Sequence, residues 1–185
     1  MGIADDAAKQ GELVYAFNQA KSAVLTTPGP WGNAYSGYCA GLAMRWLKLR
    51  SQGLDYASNN KTMVDQPAFT TKLQNVYEDE DYPKALADQA LVTRQTISLP
   101  GPLSIAQAVD QRGGLWLVSL RRPKGGHAVA IQSEPTKAVY RYFDANYGHF
   151  RMNAASRFKT WLNQFLMTSG YAARYTSGSV LRLVG

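Results

Sequence analysis

Apolar positions recur along the 185-residue chain in two rhythms, a helical one first and an alternating one afterwards. Between Asp6 and Leu25, the residues Leu13, Phe17, Ala20 and Val24 fall at three- and four-residue spacing, which predicts an amphipathic helix. Asp5 and Asp6 suit its positive end. Thr26-Thr27-Pro28-Gly29-Pro30 stops it, because two prolines and a glycine cannot continue the backbone ladder. A loop rich in Pro and Gly follows. Leu42, Trp46 and Leu49 then mark a second helix, from Ala40 to near Gly53. Beyond a polar stretch at 54–66, a helical pattern covers Pro67–Tyr77. Another runs from Pro83 through Leu86, Ala90 and Leu91, with the proline at a first-turn position that it tolerates. A short helix from Leu103 to Gln111 ends at Gly113-Gly114.

From there the rhythm changes. Leu115–Leu120, Ala128–Gln132, Val139–Phe143 and His149–Met152 are short β-branched or aromatic segments divided by turn residues. They read as consecutive antiparallel strands. Asn153 suits the cap of one more helix, with Phe158, Trp161, Leu162, Phe165 and Leu166 facing inward. Ser179–Val184 supplies a last strand. Helices first and a meandering sheet afterwards make an α+β chain. With no repeat or low-complexity linker, residues 1–185 are expected to form one domain.

Composition narrows the function classes. No apolar run is long enough to span a bilayer. Met1–Asp6 lacks a basic region followed by an apolar core, so no cleavable secretory signal is expected. A single cysteine excludes an internal disulfide, and two histidines leave little for a metal site. No cofactor is expected. Residues 1–111 carry 9 Lys/Arg against 11 Asp/Glu, whereas residues 112–185 carry 11 against 2. The cations are scattered, which reads as a solvated basic face rather than a specific nucleic-acid surface. Weak contact with an anionic membrane is compatible with it.

The candidate chemistry gathers at element ends. Cys39 stands at the mouth of the second helix, where the partial positive charge of a helix N-terminus favours thiolate over thiol. Gly125-Gly126-His127 opens one strand and Asp144 closes the next. If the hairpin between them is centred on Pro135-Thr136, residue 127 faces residue 144. Directly paired Cβ atoms lie roughly 4.5–5.5 Å apart. Asn146 shares the parity of Asp144 and is the reserve orienting residue. An Asp beside a His fixes its tautomer and stabilises the imidazolium. A cysteine beside that His can drop from about 8.5 to ~3–4 in pKa. The competing reading is a structural His–Asp hydrogen bond with Cys39 merely buried. For an oxyanion, the Cys39 N–H and the Asn33 side chain are candidate donors. Trp31 is a candidate wall of a substrate groove, and His149 is expected on a strand surface without a role.

Three blocks, Gly37-Tyr-Cys39-Ala-Gly-Leu-Ala-x-x-Trp46-Leu, Gly-Gly-His127-Ala-Val-Ala and Tyr142-Phe-Asp144-Ala-Asn146-Tyr-Gly148, occur in this order. Their combination resembles the YopT/AvrPphB-type family of bacterial effector cysteine proteases, over Trp31 to about Phe150. The resemblance implies a papain-like fold, a Cys39–His127–Asp144 triad and Asn33 near the oxyanion-hole position. It implies a cysteine endopeptidase acting through a thioester on a protein substrate, and delivery by a bacterial secretion system into a target cell. A chaperone or an immunity protein is then a possible partner. The same triad would serve a Gln/Asn deamidase or a cell-wall peptide amidase. A non-catalytic binding domain would keep only the fold.

Overall fold

The computed structural model describes residues 13–19, 38–54, 82–109 and 113–184. Among these, seven strands form one antiparallel sheet: β1 (Leu13–Ala16), β2 (Val92–Leu99), β3 (Gly114–Arg121), β4 (Gly126–Glu134), β5 (Val139–Asp144), β6 (Gly148–Met152) and β7 (Ser177–Val184). They lie in the order β1-β6-β5-β4-β3-β7-β2. The middle of the sheet, β3 to β6, is the expected meander. Short turns and β-branched or aromatic residues place each of its strands beside the next.

Five α-helices accompany the sheet among the described residues: α1 (Cys39–Ser51), α2 (Tyr82–Ala87), α3 (Ile105–Val109), α4 (Ala155–Thr168) and α5 (Tyr171–Arg174). Alternation along the strands sends side chains to two cores. Leu115, Leu117, Ala128, Ala130 and Phe143 pack with α1 on one face. Trp116, Val118, Val129, Ile131 and Tyr142 pack with α3 and α4 on the other. α4 buries one stripe, Phe158, Leu162, Phe165 and Leu166. By contrast α1 is enclosed: from Cys39 to Leu47 every residue but Arg45 is buried. At its centre Trp46 stacks on Phe143, ring centroids 5.9 Å apart at 9°. Trp46→Ala would cost about 3–5 kcal/mol, from lost burial and the cavity left behind.

Two expectations fail in the N-terminal half. Leu13–Ala16, expected within a helix, is a strand with Leu13 opposite Phe150 and Ala16 opposite Gly148. Leu13 and Phe17 fit helical spacing, but Leu-Val-Tyr-Ala is also β-prone, and pairing with the exposed edge of β6 decides the outcome. Gly148 accommodates this edge: its φ is +122°, and a Cβ there would run into the Tyr15 carbonyl. The helix expected from Pro83 through Leu91 ends at Ala87. A turn with Ala90 at φ 54° redirects the chain into β2. β2 alternates exposed and half-buried residues, as a strand at the sheet margin should, and pairs with β7. The segment expected to be helical at 67–77 lies outside the described residues.

Candidate active site

Sequence spacing suggested that His127 directly faces Asp144; the register is different. The β4–β5 connection contains a 3-10 turn, Pro135–Lys137, followed by Ala138 in the left-handed region at φ 52°. Glu134 therefore pairs with Val139, and Asp144 pairs with Val129. The connection is longer than a tight two-residue hairpin and shifts the register by two positions. An even shift preserves the face. His127 and Asp144 become diagonal neighbours and still meet, with Nε2 3.0 Å from Oδ1. The glycine before His127 has its reason too: a Cβ on Gly126 would stand 2.7 Å from the Leu120 carbonyl oxygen.

Cys39 is the first residue of α1. Its helix packs on the opposite face from Asp144, but His127 sits near the start of β4, at the rim where the two faces meet. There the imidazole hydrogen-bonds Cys39, as does the backbone N–H of Ala128. With Nε2 committed to Asp144, Nδ1 is the nitrogen left for the sulfur. The Tyr38 side chain makes no cap to α1 and no acid lies in its first turn, and the positive end of the helix dipole points at the sulfur.

Cys39, His127 and Asp144 are 8%, 3% and 0% exposed, which makes their electrostatics depend on one another. Burial pushes the Cys39 thiol up; the charge and hydrogen bond of His127, helped by the Ala128 N–H, bring it below its ordinary value. Burial pushes His127 down; Asp144 and then Cys39 raise it well above its ordinary value. The two directions together favour thiolate facing imidazolium. Asp144 is held by two further donors, the Asn146 N–H to Oδ1 at 2.8 Å and the Tyr142 hydroxyl to Oδ2 at 3.2 Å.

Sequence reading missed the aromatic enclosure. The Tyr171 hydroxyl lies 3.1 Å from His127 Nε2, and the Tyr175 ring stacks beside the imidazole at 6.4 Å and 20°. Tyr142 was findable, because it stands two residues before Asp144 on the same strand face. Tyr171 was not, being 44 residues from His127 with no periodicity linking them. Asn146, the reserve candidate, does not reach the imidazole: its Nδ2 donates to the Tyr171 hydroxyl at 3.0 Å. Asn33 and Trp31 lie outside the described residues. His149, expected on a surface, is 1% exposed. It packs edge-on to Trp46 at 5.3 Å and Tyr15 at 5.7 Å under α1. The reason is the face it occupies, where Trp46 of α1 lies over it and Tyr15 of the neighbouring strand β1 lies beside it. A separate cleft of about 320 Å³, lined by Arg50, Gln132 and Glu134 among others, opens at the far end of β4 from His127.

In fold, the chain is similar to the Pseudomonas avirulence protein AvrPphB, at 18% identity and a TM-score of 0.65, over 95% of this chain and 99% of that one. It is also similar to PatoxP, a cysteine protease-like domain of the Photorhabdus asymbiotica toxin PaTox. That match has 12% identity and a TM-score of 0.52, over 98% of this chain and 57% of that one. The expected α+β, papain-like fold therefore holds. A comparison with curated proteins finds no match. A family profile described as Yersinia/Haemophilus virulence surface antigen, peptidase C58, matches residues 58–184, a span that includes His127 and Asp144 and excludes Cys39. With well over half of its length matched, the chain belongs to the Yersinia/Haemophilus virulence surface antigen family of peptidases.

Proposed function

We propose that this chain is a cysteine endopeptidase whose nucleophile is Cys39, whose general acid and base is His127 and whose orienting carboxylate is Asp144. The observation that carries the reading is the buried run Cys39–His127–Asp144, with His127 Nε2 3.0 Å from Asp144 Oδ1 and the charge and hydrogen bond of His127 drawing the Cys39 thiol below its ordinary pKa. The Cys39 thiolate attacks the scissile carbonyl carbon and the oxygen becomes an oxyanion. The Cys39 N–H and the Asn33 side chain are its proposed donors. The imidazolium gives its Nδ1 proton to the leaving amine as the C–N bond breaks, leaving a thioester. Water then attacks the thioester, His127 takes one of its protons, and the acid product leaves with the thiolate restored. Asp144 keeps its charge throughout and stabilises the imidazolium.

Two solved structures of similar fold are an avirulence protein and a cysteine protease-like domain of a toxin. By analogy, the substrate is a protein in another cell, reached through a bacterial secretion apparatus.

The test is to incubate target-cell lysate with the wild-type chain and with Cys39→Ala, and to sequence the new protein N-termini. Discrete new termini are expected only with the wild type. A gain of about one mass unit at Gln or Asn without new termini would replace the peptidase by a deamidase, since amide-to-acid conversion shares the acyl-enzyme step. No Cys39-dependent change of either kind would refute the catalytic reading.

A further inference from the structure

Four polar groups join the entrance of α1 to the imidazole through side chains of distant segments. The Tyr38 N–H, immediately before Cys39, donates to Gln19 Oε1 at 2.7 Å. Gln19 Nε2 donates to Asn146 Oδ1 at 2.7 Å, and Asn146 Nδ2 donates to the Tyr171 oxygen at 3.0 Å. That oxygen lies 3.1 Å from His127 Nε2.

The polarity of this chain is set at one end. A backbone N–H can only donate, so the amide of Gln19 must present its oxygen to Tyr38 and its nitrogen to Asn146. Asn146 must then present its oxygen to Gln19 and its nitrogen to Tyr171. The Tyr171 oxygen is thereby an acceptor. At the other end, Asp144 Oδ1 at 3.0 Å from Nε2 requires the proton to sit on that nitrogen. The Nε2–H therefore has two acceptors, the carboxylate and the phenol oxygen. Gly170, at φ +75°, reverses the chain after α4 and turns buried Tyr171 onto the sheet.

We propose that Tyr171 is a positioning residue for His127, with its oxygen oriented by the Gln19–Asn146 pair so that it shares the Nε2–H and stabilises the imidazolium. The inference rests on the peptidase reading above. The phenol itself stays neutral, because burial and the nearby Asp144 push its ionisation up. Its contribution is specific to one charge state. Formation of the thiolate opposite an existing imidazolium leaves the Nε2–H unchanged, whereas loss of the imidazolium proton removes the positive charge that the phenol oxygen stabilises.

The experiment is the pH dependence of Cys39 alkylation by iodoacetamide on the full chain, which needs no substrate. The wild type should show two inflections, one as the thiolate forms and one as the imidazolium loses its proton. In Tyr171→Phe the first should stay and the second should move down by about one pH unit, the expected cost of one shared hydrogen bond to a charged group. Gln19→Met, at a half-buried position, should move it in the same direction by less, and decides the matter if Tyr171→Phe does not fold. A wild-type profile with a single free-thiol inflection would remove the ion pair and the inference with it. Two inflections in the wild type, with the second unmoved in each folded variant, would overturn the Tyr171 assignment alone.

Discussion

The molecule holds two buried histidines, His127 and His149, at 3% and 1% exposure on opposite faces of one sheet. Burial pushes both toward the neutral form. His127 meets Asp144, Tyr171 and Cys39 and rises well above its ordinary pKa. Among the described residues, neither ring nitrogen of His149 has a hydrogen-bond partner. Burial, with repulsion from Arg141, Arg50 and Arg151, takes its pKa to about 3. Depth, with three guanidinium groups nearby, therefore keeps His149 neutral. What separates the two imidazoles is the carboxylate and thiol beside His127 and the guanidinium groups around His149.

Removing that carboxylate should make the two histidines alike. Asp144→Asn keeps the shape, leaves only Cys39 to oppose burial at His127 and permits the wrong tautomer. Turnover is expected to fall on the order of 10³- to 10⁴-fold, the scale seen when a triad carboxylate is neutralised. Initial cleavage rates would check this, and a loss below tenfold would separate the contrast between the histidines from catalysis.

A second prediction concerns stability. His149 has a folded pKa of about 3, below its unfolded value near 6.5. Its neutral burial therefore stabilises the fold above the unfolded pKa and is lost as pH falls toward 3. His127 works in the other direction: its raised pKa stabilises the fold at low pH and is lost as pH climbs through the folded value. His149→Phe keeps the edge-on ring contacts, removes two unpartnered nitrogens and removes the titration. Relative to the wild type it should gain about 2 kcal/mol on going from pH 8 to pH 5. Urea unfolding at the two pH values would measure this, and an unchanged difference would show that His149 is already solvated or paired.

The smallest effect is expected where charges meet in water. Glu134 and Lys137 form a 2.8 Å pair, with the Lys137 side chain 70% exposed. Its hydrogen bond to Lys137, then that to Arg141, hold the Glu134 carboxyl below its ordinary range despite partial burial. Lys137→Ala should nevertheless cost less than about 0.5 kcal/mol by the same unfolding measurement. A larger loss would mean that the charge holds the left-handed turn at Ala138.

The sheet from β3 to β6 was legible because its strands are neighbours in both sequence and space. β1 and β2 were not. The partner of β1 lies more than 130 residues away, Leu13 pairing with Phe150, and β2 pairs with the last strand of the chain. Leu13 and Phe17 also happen to satisfy a helical period. The His127–Asp144 meeting was readable through parity, and it survived a misjudged turn because the register moved by an even number. The linkage of Gln19, Asn146 and Tyr171 joins three segments that no local pattern connects.

The enclosure of α1 has a consequence for handling of the chain. Cys39 belongs to a helix walled in by Leu117, Ala128 and Phe143 of the central strands, so the pull of His127 on its thiol exists only while the whole helix–sheet unit is assembled. Any passage that threads the polypeptide in extended form would carry an ordinary thiol with no paired imidazole. On the peptidase reading proposed above, refolding after such a passage would be the step that arms Cys39.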